Sequence, residues 1–279
     1  MPIGSKFAQD TEFRKLLTRR SDVDVTTAAL ELARDAFPDL DFSVVYRWLD
    51  ERAAELTGPL ARAKSDTEAI REIGYCLAGK HGLTGHPDCY DNAESSFLHK
   101  VIEHRRGLPI SLSVVYMAVA ERAGWTLQGV STPRRFLTRF EAGTGPVFVD
   151  AFAGGEVLTL DECVDRLQSV AGLTPGDVLP TLDAASPRTI ILRMLNNLKA
   201  LYARLGNWEA AWVTQNRLVA LQPAVYAERR DLALIASKTN RAGKAVEQLE
   251  SCLKICPPDE SNVLEEQLRE AQRRLAQWN

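Results

Sequence analysis

Residues 105–123 read RRGLPISLSVVYMAVAERA, and this stretch decides the fold of the first part of the chain. Apolar residues fill most positions from Ile110 to Ala123, which predicts a helix that is apolar on most of its faces. Gly107-Leu108-Pro109 leads into it, with proline at a first-turn position, and Gly124 ends it. We therefore predict a buried central helix.

Amphipathic helices are predicted before this stretch, and short strands after it. The predicted helices are Thr26–Phe37, Phe42–Leu56, Thr67–Leu77 and Phe97–His104. The predicted strands are Thr126–Ser131, Phe136–Phe140 and Val147–Asp150, with a hairpin turn at Glu141–Pro146 and a further helix at Asp161–Val170. Helices followed by a small antiparallel sheet indicate an α+β domain.

The last third of the chain repeats itself at an offset of 34 residues. This offset aligns Ala211 with Ala245 and Pro223 with Pro257. The period and the small residues are those of tetratricopeptide helical hairpins, and each proline ends a helix. We predict an all-α repeat segment; an ordinary helical bundle is the alternative.

A last helix, Glu260–Gln277, has one apolar and one charged face, which suits a helix that caps an array. Ser261 is its predicted N-cap. The proline-rich stretch Leu173–Pro187 is predicted to be a linker. The predicted domains are residues 1–180 and residues 186–279.

Composition excludes several classes of function. The 279 residues carry a net charge of -3 without a basic stripe, which argues against nucleic-acid binding. Neither a secretory signal nor a membrane span is visible, and five scattered cysteines are typical of a reduced, cytoplasmic protein. No cofactor is expected, and the oligomeric state is left open.

Three segments together resemble the bacterial SirB-one family: Ser96–Tyr116, Pro133–Phe136 and Phe148–Gly155. The resemblance covers nearly the whole chain and implies a papain-like or transglutaminase-like core followed by tetratricopeptide repeats. In that superfamily a cysteine at the start of the central helix is paired with a histidine and an aspartate from successive strands. A helix N-terminus favours a thiolate, and adjacent strands hold imidazole and carboxylate in register.

This chain departs from the pattern that the resemblance implies. No cysteine lies near Pro109–Ser111, the histidine position is Arg135, and only the aspartate, Asp150, is kept. Ser111 is a possible substitute nucleophile, but arginine stays protonated and cannot serve as its base. We expect Ser111 to cap the helix, Ser113 to pack as a small residue, and Asp150 to pair with Arg135.

Other residues are weaker candidates. Arg134, Arg135 and Arg139 are close enough for a shared basic pocket. His81, His86 and Cys89 fit zinc spacing loosely, and we expect no metal there. Cys252 and Cys256 are expected to pack rather than pair. Four large aromatics of the array are candidates for partner binding: Tyr202, Trp208, Trp212 and Tyr226.

Three functions remain open at this point. The first is a non-catalytic, regulatory protein that binds another protein or peptide through its repeats. The second is a hydrolase or acyltransferase of papain-like ancestry that uses Ser111. The third is a metal-dependent regulator built on His81, His86 and Cys89.

Overall fold

A computed structural model describes residues 7–172 and 174–277. Residues 1–6 of the predicted first domain, Leu173 of the predicted linker and the last two residues of the predicted repeat segment lie outside this range. The described chain forms two compact units, residues 7–194 and residues 195–277. Within the described part, no helix has the length and apolar character needed to cross a membrane.

The first unit is mostly helical. Its α-helices are α1 (Thr11–Leu17), α2 (Val25–Ala33), α3 (Phe42–Arg62), α4 (Asp66–Gly74), α5 (Leu98–His104), α6 (Pro109–Arg122), α7 (Leu160–Ala171) and α8 (Pro175–Val178). A π-helical turn, Tyr75–Lys80, continues α4, and 3-10 turns occupy Pro87–Asp91, Ala93–Ser96 and Leu179–Leu182. Helix α9 (Pro187–Arg204) begins in this unit and ends in the second.

Helix α6 is the predicted buried helix. Pro109 occupies its first turn, as predicted, and eleven of its fourteen residues are buried. Leu112 and Tyr116 are 0% exposed. Helices α3, α4 and α5 cover one part of its surface, and the sheet covers another. The apolar side chains of α6 therefore hold the unit together by the burial of apolar area.

The sheet is antiparallel, with strands in the order β1 (Gln128–Val130), β2 (Leu137–Ala142), β3 (Gly145–Asp150) and β4 (Glu156–Leu158). The three predicted strands are confirmed, and β4 is additional. Register is fixed by pairs such as Gly129 with Thr138 and Thr138 with Val149. Strand β3 ends at Asp150, opposite Glu156 of β4.

The prediction of a linker is wrong for the described residues from 174 to 187. Val178 and Leu182 pack with Phe148 and Leu158 in one buried cluster. The amide of Ala185 also donates to the carbonyl of Gly129 on β1 at 2.7 Å. Prolines break regular structure in this stretch, but its apolar residues still complete the core of the first unit.

The second unit contains the end of α9 and four further helices: α10 (Trp208–Leu221), α11 (Tyr226–Ser237), α12 (Ala242–Leu253) and α13 (Pro258–Ala276). Helices α10 and α12 begin 34 residues apart, which confirms the predicted period. Ala211 and Ala245 are both 0% exposed, so each sits at a close helix contact.

The predicted cap of the last helix is wrong. Helix α13 begins at Pro258 with Pro257 at the N-cap position, because proline is well suited to the first turn. Ser261 lies inside the helix, and its hydroxyl donates to Glu265 at 3.4 Å. Cys252 is buried and Cys256 half-buried, and all five cysteines are free thiols, as expected.

Replacement of Ala245 by leucine tests the close packing of the repeats. The added side chain would overpack the contact between α11 and α12, and we expect the free energy of unfolding to fall by about 1–3 kcal/mol. The midpoint of urea unfolding measures it. The matched control is Ala227→Leu on the exposed face of α11, which should change stability by less than about 0.5 kcal/mol. Equal effects of the two variants would contradict the packing described.

Candidate functional site

Ser111 lies in the first turn of α6, where the resemblance places the reacting group. Its side chain is 0% exposed. Its hydroxyl lies 2.6 Å from the carbonyl oxygen of Ser95 and 3.1 Å from that of Leu108, and its one proton is donated to these acceptors. The expectation that Ser111 caps the helix is wrong, because it bonds carbonyls rather than free amides. Ser113 is also 0% exposed, and packs as expected.

Asp150 ends β3 and is 0% exposed. One carboxylate oxygen, Oδ1, accepts hydrogen bonds from the amides of Phe152 and Ala153, both at 3.1 Å. The other, Oδ2, lies 3.5 Å from Nη1 of Arg166 on α7. The same guanidinium binds both oxygens of Glu156 on β4, at 2.7 and 2.8 Å. Asp150 therefore fixes the turn after β3 and tethers α7 to the sheet.

Arg135 does not pair with Asp150, contrary to expectation. It precedes β2, and its guanidinium stacks over the ring of Phe152 at 5.4 Å from the centroid. Among the described residues this guanidinium has no hydrogen bond and no ion pair. The physical reason is that Arg166 occupies the place beside Asp150. Its helix, α7, packs against β3 and β4.

The three neighbouring arginines do not form a shared basic pocket. Arg134 has a positive φ of 59° and donates to the carbonyl of Val170 at 3.3 Å. Arg139 donates to the carbonyl of Leu182 at 2.9 Å and also pairs with Glu141. Because the strand begins only at Leu137, strand alternation does not place Arg135 and Arg139 on one face.

The buried thiol of Cys163 on α7 interacts electrostatically with the Asp150 carboxylate. Burial, with a further contribution from the Asp150 carboxylate, raises the pKa of Cys163 to about 12. The side chain is 0% exposed. A thiol in this state stays protonated at neutral pH and is a poor nucleophile. Burial likewise raises the pKa of the Tyr116 phenol, whose oxygen has no hydrogen-bond partner in the described chain.

His81, His86 and Cys89 do not form a metal-binding group among the residues described. His86 is half-buried and pairs with Asp88, and Cys89 is buried in the next turn. His81 faces Glu55 of α3 instead. The structure thus separates the candidates that sequence spacing had grouped.

A different group of ligand-type side chains converges, and sequence reasoning missed it. One ligand atom each from Glu55, Cys76 and His81 lie within 4.8 Å of one another. Cys76 lies within the π-helical turn after α4, and His81 is the C-cap residue of that turn. The local signal was the pair Cys76 and His81, but five residues is the wrong spacing for one face of an α-helix.

The four candidate aromatics of the repeats differ in accessibility. Tyr202 is 7% exposed and belongs to the core. Tyr226 and Trp212 are half-buried against the core of α11–α13. The Tyr226 hydroxyl donates to Glu260 at 2.9 Å, and Arg241 covers the Trp212 ring at 5.2 Å. Trp208 is half-buried at the start of α10.

Polar side chains join the first helices of successive repeats, and we call them the first-helix network: Lys199, Tyr226, Glu228, Arg230, Asp231 and Glu260. Lys199 on α9 contacts Asp231 at 3.0 Å and Glu228 at 3.3 Å. Arg230 contacts Glu260 on α13 at 2.7 Å. These ion pairs are partly exposed, so the surface they form is hydrated and charged.

Comparison with known proteins agrees with this architecture. Residues 44–196 match the transglutaminase-like superfamily, and residues 198–276 match the tetratricopeptide repeat. A UPF0162 protein of Xylella fastidiosa (strain Temecula1) is 31% identical over 234 residues, which are 83% of this chain and 83% of that protein. Protein SirB1 of Salmonella typhimurium is 25% identical over 233 residues, 83% of this chain and 85% of its own length.

A eukaryotic protein is similar over much of the same region. F-box only protein 21 of Mus musculus is 27% identical over 239 residues, which are 82% of this chain but 35% of that protein. No solved structure matches the chain significantly. The chain therefore belongs to the SirB1-like family, as a transglutaminase-like domain followed by tetratricopeptide repeats.

Proposed function

We propose that this protein is a non-catalytic, regulatory member of its family that holds a partner protein through its repeat unit. The observation that carries the proposal is the state of Ser111, whose hydroxyl is fully buried and donates to main-chain carbonyls. A nucleophile needs a base within hydrogen-bond reach and access for a substrate. Ser111 has neither in this arrangement.

The remaining triad positions support the same proposal. Asp150 accepts two amide hydrogen bonds and lies beside Arg166, which is a structural role. A guanidinium has hydrogen-bond donors and no acceptor, so Arg135 is unsuited to take a proton from a hydroxyl. These contacts argue against the alternative of a hydrolase or acyltransferase that uses Ser111. We propose that the residues at the N-terminus of α6 have a structural role and no catalytic one.

The proposed binding surface lies along the first helices of the repeats. Tetratricopeptide repeats commonly mediate contacts between proteins, and stacked helices leave an extended surface for them. In this chain the first-helix network covers that surface with charges of both signs, and Val263 is 58% exposed on the same helix as Glu260. Residues three apart on a helix lie on neighbouring positions of one face. We infer that a polar segment of the partner, with an apolar residue, binds there.

We place the protein in the cytoplasm as part of this proposal. All five cysteines are free thiols, and four of them are buried. Free thiols persist where reducing systems keep them so.

Ser111→Ala tests whether the hydroxyl acts structurally or chemically. Its loss removes a buried hydrogen bond, while the carbonyls of Ser95 and Leu108 keep the amides of Leu108 and Leu112 as donors, and we expect the free energy of unfolding to fall by about 0.5–1.5 kcal/mol. Ser113→Ala is the matched control, because its hydroxyl reaches a carbonyl only at 3.5 Å and should contribute less. A serine-reactive probe should label the wild type and both variants equally. Labelling that disappears only in Ser111→Ala would show a nucleophile and end the proposal.

A photo-crosslinking amino acid at position 263 tests the binding surface in the full chain. We expect irradiation of cells that express this variant to give one discrete cross-linked species. The control places the same group at Tyr75, which is 67% exposed in the first unit and should not give that species. Charge reversal at Glu266, which is exposed and lies three positions after residue 263 on α13, should weaken the cross-link if the partner is polar. Identical products at positions 263 and 75, or none at either, would contradict the proposal.

A further inference from the structure

The π-helical turn after α4 brings together two side chains that an α-helix would separate. Residues five apart on an α-helix differ by about 140° around its axis, given 3.6 residues per turn. Here the amide of His81 donates to the carbonyl of Cys76 at 3.1 Å, which is an i to i+5 bond. This wider turn returns the chain to the same side after five residues. Single π turns of this kind occur frequently at functional sites.

Glu55 on α3 completes the group. Nε2 of His81 lies 3.0 Å from Oε2 of Glu55 and 3.2 Å from Oε1. The Cys76 thiol is 5% exposed and makes no hydrogen bond with any residue of the described chain. Two segments distant in sequence therefore present a carboxylate, an imidazole and a thiol to one point.

These three donors are those that zinc prefers. Zinc binds thiolate at about 2.3 Å and imidazole or carboxylate at about 2.0–2.2 Å in tetrahedral geometry, which sets neighbouring ligand atoms roughly 3.4–3.6 Å apart. The three ligand atoms here lie within 4.8 Å of one another, so a contraction of about 1 Å is sufficient. Glu55 and His81 are partly exposed and have side-chain freedom for that movement.

We propose that Glu55, Cys76 and His81 form a zinc-binding site. Binding of Zn²⁺ forms one bond to each side chain and releases the thiol proton to solvent. The proton that His81 shares with Glu55 moves to the other ring nitrogen. Three protein ligands leave a fourth position of the tetrahedron for water or another small ligand.

Two cationic side chains, Arg52 and Lys80, contact Glu55 beside the proposed site. Nε of Arg52 lies 2.8 Å from Oε1 of Glu55, so the guanidinium forms an ion pair with this carboxylate. The ammonium of Lys80 also contacts Glu55 and competes with the metal for its Oε2. The Lys80 side chain is 55% exposed, so its ammonium is free to move into solvent when zinc binds.

A cysteine nucleophile activated by His81 is the other chemistry that these residues suggest, and the environment disfavours it. Burial and the neighbouring Glu55 carboxylate both raise the pKa of the Cys76 thiol. Reactive cysteines instead have lowered pKa values in electropositive, accessible sites. Zinc binding does not need a free thiolate beforehand, because the metal displaces the proton of the Cys76 thiol as the bond forms.

The test is titration of the full, metal-free chain with Zn²⁺, and with Co²⁺ as a coloured substitute. We expect one equivalent to bind, a thiolate-to-cobalt absorption band, and a rise in the thermal midpoint with Zn²⁺. Cys76→Ser and His81→Gln should each weaken binding by more than the roughly 10–100-fold typical of a lost outer partner. Cys76→Ser should also abolish the thiolate band. Lys80→Met should tighten binding, because a competing cation is removed.

The controls separate this site from adventitious binding. His86→Gln removes a half-buried histidine and Cys256→Ser a half-buried thiol, both outside the group, and both variants should bind Zn²⁺ as the wild type does. Circular dichroism of the metal-free variants checks that each is folded, and His81→Gln alters only a partly exposed residue. Equal affinity of wild type, Cys76→Ser and His81→Gln would overturn the proposal. So would the absence of stoichiometric binding by the wild type.

Discussion

The burial of α6 is the constraint on which the first unit depends. Helices pack on one part of its surface and the sheet on another, so its side chains are held on nearly every side. A serine in such a helix can keep a hydroxyl only if its proton finds an acceptor, which Ser111 finds at Ser95. The same packing that stabilises the unit therefore removes that hydroxyl from solvent.

The sequence predicts the parts of this structure that depend on local pattern. The apolar run 110–123 and the 34-residue period each determine which faces are buried, and both were found correctly. Strand β4 was missed because three residues carry too little periodicity. The partner of Asp150 was also missed, because Arg166 reaches it only after α7 has docked on the sheet. Such pairs depend on tertiary packing, which sequence spacing does not encode.

Asp150 shows how a carboxylate can persist without its catalytic partners. Two amides and a guanidinium surround it at the end of β3, where the chain turns through Phe152 and Ala153. An unpaired buried carboxylate would be strongly destabilising, whereas this one accepts two amide hydrogen bonds and lies beside a guanidinium, which stabilises the turn. The contacts of Asp150 therefore give this aspartate a structural role at the end of β3.

A second group of polar side chains in the first unit lies at the contact between α3 and the π turn. π-helical turns are rare in proteins, so the presence of one here indicates that surrounding contacts favour it. At this turn Tyr75 covers Gly79, where an added Cβ would lie 2.6 Å from the ring. Its other side presents Cys76 and His81 to Glu55. An α-helical continuation through these residues would separate Cys76 from His81, so the convergence of the three side chains depends on the π turn.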